Sequence, residues 1–180
     1  METDRTVLSV GFCLMLALML LVLPFPWIVS AVVAAGFHEL CHICAIYLCG
    51  GKIGKFRLYG GGATIALPEM SRGREVLCAL AGPIGGLSLL LFARWMPRLA
   101  ICALFQSLYN LLPIYPLDGG RTLQCLLSMV LSPPKSARVC QIVSFMIRSL
   151  VCAAGLYGCF WLKLGAFPLV LAVLLLIRTK

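Results

Sequence analysis

Apolar residues fill this chain in long runs joined by short polar stretches, and the polar positions inside the runs are few enough to name. A helix needs about 20 mostly apolar residues to cross a bilayer's hydrocarbon core. Six runs meet or approach that length: Val7 to Leu23, Trp27 to Leu48, Val76 to Ala93, Leu99 to Leu131 with an interruption, Val139 to Leu162, and Leu164 to Ile177. The pattern predicts an all-α multi-pass membrane protein with about six transmembrane helices. These runs leave little chain for anything else, so residues 1–180 are expected to form a single membrane-embedded domain with no PDZ-like or CBS-like segment. The joint between the second and third runs differs from the others. In "GKIGKFRLYGGGATIAL" basic and apolar side chains alternate, Gly60 to Gly62 can turn, and "ATIAL" can return, which predicts a small β-hairpin.

Composition agrees, with 62% hydrophobic and 12% charged residues, far outside the range of soluble domains. The formal charge of +9 does not point to nucleic acid, because the basic residues sit in short joints rather than in one patch. With six spans and an inside N-terminus, eleven of them (Arg5, Lys52, Lys55, Arg57, Arg72, Arg74, Arg121, Lys135, Arg138, Arg178 and Lys180) fall inside. Arg94, Arg98 and Lys163 fall outside, so the positive-inside rule puts both termini in the cytoplasm. Arg148 is left within the fifth run, where it could snorkel, pair with Asp118 or a carbonyl, or line a gate. The first run ends in "PFPW" without a small-x-small cleavage site and reads as a retained anchor. Ten cysteines scattered through apolar segments read as reduced, buried side chains rather than a disulfide framework. The CxxC of Cys41 and Cys44 lies within a helical run and reads as packing.

Ionisable residues at membrane depth are costly and imply function. The chain has two histidines, His38 and His42, and both stand in "GFHELCHICA". Of its six acids, Glu2, Asp4, Glu69 and Glu75 fall in joints or near a surface, leaving Glu39 and Asp118 within the membrane. Positions i and i+4 share a helix face, so His38 and His42 can reach one metal ion, with Glu39 about 100° round the helix beside them. Catalytic zinc takes three protein ligands and leaves a position open. Asp118, in "NLLPIYPLDGGR", is the natural candidate for the third. Its prolines and glycines also read as a plain turn, but irregular backbone at membrane depth is tolerated only where protein buries it or it lines a watery cavity.

With these motifs the chain resembles the site-2 protease family of intramembrane zinc metalloproteases, peptidase family M50, and among them the compact sporulation-type members. "HELCH" matches the family's HExxH. "NLLPIYPLDGGR" matches its N-x-x-P-x-x-P-x-D-G element, and "AGP" at Ala81 to Pro83 its small-residue motif. The likeness runs from Val32 to about Leu131. It implies that His38, His42 and Asp118 bind one Zn2+ per chain, that Glu39 is the catalytic glutamate, and that Asn110 is a polar contact near substrate. It also implies that the hairpin is a membrane-associated β element and that the setting is a bacterial cell membrane. The family pattern often continues AGPxxN, whereas this chain reads "AGPIGG", with Gly86 in the asparagine's place. Gly82 and Gly86 form a GxxxG, a pattern of close helix packing.

The implied activity is hydrolysis of a peptide bond within or near a transmembrane or membrane-associated segment of a substrate protein, such as a pro-sigma or anti-sigma factor. Other intramembrane protease classes fit poorly: an aspartyl type needs two buried aspartates, and a rhomboid type needs a histidine free to pair with serine. A non-proteolytic zinc-binding protein or metal transporter needs only the ligands and has no use for Glu39. An inactive family member is the remaining alternative, kept open by Gly86.

Overall fold

A computed structural model describes residues 24–51, 56–59, 62–65 and 71–160, the two short segments by their backbone alone. The first and sixth predicted spans, Val7 to Leu23 and Leu164 to Ile177, lie outside the described residues. The chain divides into two compact units, Met1–Asn110 and Leu111–Lys180. The fold is predominantly helical, and among the described residues three stretches are long and apolar enough to cross a membrane: Phe25–Leu48, Arg72–Phe92 and Pro133–Cys159.

In the first unit, α1 spans Phe25–Leu48, α2 spans Arg72–Ser88 and continues as a 3-10 turn over Leu89–Phe92, and α3 spans Pro97–Asn110. Each of these helices packs against the other two. The start of α1 is set by Pro24 and Pro26, whose fixed φ suits a first turn where an N–H would go unpaired anyway. Its end is set by Gly50 at φ 72°, with Gly50 N–H on Tyr47 O at 3.0 Å and Gly51 N–H on Ile46 O at 2.9 Å, a Schellman pair of bonds. Between α1 and α2, strands β1 (Phe56–Tyr59) and β2 (Gly62–Ile65) pair antiparallel, with Phe56 opposite Ile65 and Tyr59 opposite Gly62.

Packing in this unit puts small and polar residues inside and large apolar ones outside. Ala34, Ala103, Gly82 and Ser107 are buried, while Val32, Leu40, Leu91 and Phe105 are more than half exposed. That is the distribution expected where lipid, as apolar as leucine, surrounds the helices and small residues let the backbones approach. The inward face of α1 carries Ala34, His38, His42 and Ile46 at intervals of one turn. Ala34 joins Leu89 and Ala103 in one apolar cluster, and Ile46 joins Cys78 in another, so the histidines are bracketed above and below by apolar packing.

In the second unit, α4 spans Asp118–Val130 and packs on α5, which spans Pro133–Phe160. The fourth apolar run is thus two helices, α3 of 14 residues and α4 of 13, separated by the irregular stretch 111–117. At 1.5 Å per residue each is about 20 Å long, short of the roughly 30 Å hydrocarbon core. Prolines 113 and 116 account for the break, since neither can donate to a helix ladder and each disfavours helical geometry before it. The fifth run starts earlier than its apolar pattern predicts, at Pro133 rather than Val139, because the polar turn "PPKSAR" is already helical.

Candidate metal centre

Spacing on α1 brings the histidines together. His38 and His42 stand one turn apart with ring centroids 4.8 Å apart and planes at 81°. Their Nε2 atoms are 3.2 Å apart. A tetrahedral ion with Zn–N bonds of about 2.0–2.1 Å holds two nitrogens about 3.3 Å apart. The separation is therefore that of two nitrogens on one tetrahedral ion. His38 is buried to 2% exposure, and His42 and Glu39 are partly buried.

The orientation of His42 is set from α2. Its Nδ1–H donates to the carbonyl of Cys78 at 2.7 Å, which leaves the lone pair on Nε2, the atom facing His38. This is the outer-shell bond that metal-binding histidines ordinarily make, fixing tautomer and ring direction. Gly82 lies against the same ring: a Cβ there would collide with Nε2, Cε1 and Cδ2 of His42. The small residue of "AGP" is thus what lets α2 approach the imidazole. One turn on, Gly85 faces Cys41 in the same way, so Cys41 of the CxxC is a packing residue, as its sequence context suggested.

Asn110, the last residue of α3, is buried, and its Nδ2 lies 3.5 Å from His38 Nε2. The position named from resemblance as a polar contact is therefore beside the histidine pair. Gly86, where the asparagine of AGPxxN is missing, faces the fully buried Ser107 hydroxyl one turn before Asn110.

In the second unit Asp118 is the first residue of α4 and is partly buried. A carboxylate there is favoured by the partial positive charge of the helix N-terminus. The two glycines after it permit a tight fold-back: a Cβ on Gly119 would collide with the backbone of Leu111 and Leu112, and one on Gly120 with that of Ile114 and Tyr115. The first turn of α4 therefore sits directly on the irregular stretch that precedes it. Arg148 resolves to one of its expected roles, since its Nε donates to the Ser144 carbonyl at 3.0 Å.

Sequence reasoning missed the Cys78 carbonyl, a backbone atom whose residue type carries no signal. It also read Gly82 as helix packing in general, without seeing that the packed group is a histidine.

A family model described as Peptidase family M50 matches residues 93–154, which include Asn110 and Asp118. That stretch is about a third of the chain, and over it the chain is similar to peptidase family M50. The HELCH motif lies outside the matched stretch, so this similarity and the histidine geometry are separate observations. A curated relative from Methanocaldococcus jannaschii, "Zinc metalloprotease MJ0392", is 28% identical over 121 residues, covering 59% of this chain and 36% of the relative. The chain thus spans about a third of that relative's length. A solved structure, the site-2 protease from Methanocaldococcus jannaschii, superposes with a TM-score of 0.67 at 22% identity, covering 91% of this chain and 82% of the other. At that identity the superposition speaks for the fold.

Proposed function

We propose that this chain is a member of peptidase family M50 and an intramembrane zinc metalloendopeptidase, with His38, His42 and Asp118 as the ligands of one zinc ion, Glu39 as the general base, and Asn110 as a substrate contact. The observation that carries the reading is the pair of Nε2 atoms 3.2 Å apart on the inward face of an apolar helix, with one ring locked by a backbone carbonyl. A zinc ion held by His38, His42 and Asp118 would supply Lewis acidity, making water more acidic and the scissile carbonyl more electrophilic.

The chain's own residues do the rest. Glu39 takes the proton from the attacking water and passes it to the leaving amine nitrogen, a positioned proton transfer worth about 10²–10⁴-fold in rate. Asn110 offers an amide N–H toward the substrate carbonyl. The apolar clusters on either side of the histidines keep bulk water from the pair, which strengthens each polar interaction. The bond cleaved lies in or beside a membrane segment that has been locally unwound, because the carbonyls of an intact helix are already bonded. The β1–β2 ribbon can hold such an unwound segment by strand addition.

The basic residues of the joints favour cytoplasmic termini and a site toward the cytoplasmic side. The motif likeness to compact sporulation-type members favours a membrane-associated pro-sigma factor or anti-sigma factor as substrate, in a bacterial cell membrane.

The test is co-expression of wild type and Glu39→Gln with candidate membrane substrates, with products mapped by mass spectrometry and zinc measured on the purified proteins. Glu39→Gln should retain zinc and lose cleavage, whereas His38→Ala and Asp118→Ala should lose zinc as well. Wild-type cleavage by Glu39→Gln would sink the proteolytic reading and leave a zinc-binding protein or transporter.

A further inference from the structure

The stretch 111–117 has neither helix nor strand to pair its backbone, yet it lies within an apolar run of a membrane protein, where every N–H and C=O needs a partner within the protein. Part of the need is met internally: Ile114 N–H reaches Leu112 O at 2.7 Å, and Leu117 N–H reaches Ile114 O at 2.8 Å. Two groups in the middle of the stretch are met from another helix by one side chain. Tyr115 N–H donates to Ser144 Oγ at 3.1 Å, and the Ser144 hydroxyl donates to Pro113 O at 3.4 Å.

Ser144 lies on α5 and is 2% exposed. Its hydroxyl serves as acceptor for one backbone group and donor to another two residues away, so it closes the turn between them. Three residues after Tyr115 comes Asp118, whose helix begins by stacking Gly119 and Gly120 on the backbone of this same stretch. Any movement of the turn is transmitted to the start of α4 by backbone contact, with no flexible side chain between to absorb it. On the neighbouring turn of α5, the Cys140 thiol donates to Gly120 O at 3.7 Å, a weaker tie to the same helix start.

We infer that Ser144 is a positioning residue for Asp118: it fixes the turn that sets where the carboxylate is presented, and so tunes metal affinity without touching the metal. This rests on the proposed ligand role of Asp118. Outer-shell partners of metal ligands commonly alter affinity by about 10–100-fold when removed, and the effect expected here is of that order.

Ser136 supplies the control. It lies on the same helix and is equally buried, but among the described residues its hydroxyl donates to Pro133 O of its own first turn, at 3.0 Å, rather than to the stretch 111–117. The experiment uses the full chain in detergent. It measures zinc affinity by chelator competition, the visible absorption of the cobalt(II)-substituted protein, and the unfolding temperature. Ser144→Ala should weaken zinc binding about 10–100-fold and shift the cobalt bands; Ser136→Ala should change neither. Ser144→Thr, which keeps donor and acceptor, should bind zinc within a few-fold of wild type, and it reports on the role if Ser144→Ala does not fold.

Asp118→Ala is run alongside. If it loses zinc while Ser144→Ala keeps wild-type affinity and cobalt spectrum, the positioning role is overturned and the ligand assignment stands. If Ser144→Thr loses zinc as fully as Ser144→Ala, the hydroxyl is not what matters and the inference fails. If Asp118→Ala binds zinc like wild type, the ligand assignment fails and takes this role with it.

Discussion

The two units prepare the proposed ligands in opposite ways. In Met1–Asn110 the histidines are presented by a regular helix, and the work of the neighbouring helix is to come close enough, through Gly82, and to offer one carbonyl. In Leu111–Lys180 the aspartate is presented by the end of an irregular stretch, and the work lies in satisfying that backbone through the α5 serine and in stacking two glycines on it. Regular helix tolerates local error because each hydrogen bond is repeated along the ladder. An irregular turn has no such redundancy, so loss of one partner leaves a buried polar group unmet, at about 1–3 kcal/mol.

This contrast is open to breaking by glycine substitutions, which ask what each neighbour can yield. The largest effect is expected for Gly120→Ala, whose new methyl meets the backbone of Ile114 and Tyr115. Backbone cannot rotate aside, and a loss of more than about 3 kcal/mol in stability is expected, read as failure to purify folded protein or a steep fall in unfolding temperature. Next is Gly82→Ala, where the methyl meets an imidazole. The ring can turn, but only by leaving the Cys78 carbonyl, so zinc affinity should fall by about 10–100-fold while the protein still folds. Smallest is Gly86→Ala, which meets the Ser107 hydroxyl, a group that can rotate; about 1 kcal/mol or less is expected, with zinc affinity unchanged. Gly36→Ala, with no atom near its Cβ, is the baseline for all three. If Gly86→Ala proved as damaging as Gly120→Ala, the distinction between yielding and unyielding neighbours would be lost.

The same contrast explains what could be read from the sequence. The histidine pair was legible because i and i+4 on a helix is a fixed geometry, and an apolar run of this length leaves no other secondary structure to consider. Asp118 was legible as a candidate by inventory, since membrane depth left so few acids to choose from. Its support was not legible. Ser144 lies 26 residues beyond Asp118, and nothing in "QIVSFMIRS" distinguishes a serine that clamps a turn from one that bonds its own helix, as Ser136 does. The split of the fourth run could be seen in its prolines, but that each half is too short to span depended on where the helices stop. The early start of α5 escaped notice because hydropathy marks where lipid begins, whereas a helix begins where its first turn can be closed, and Pro133 is well suited to that.

The bond from His42 to Cys78 has an evolutionary side. A side-chain partner can be lost by one nucleotide change, but a carbonyl is common to all twenty residues, so position 78 can vary while the contact survives. An alanine scan would register at Cys78 the loss of its thiol from the cluster with Ile46, and nothing of the carbonyl's bond. The vulnerability is displaced four residues along the helix to Gly82, where almost any replacement drives the ring off the carbonyl. A mutational survey would thus see the bond's importance at Gly82, and not at the residue that makes it.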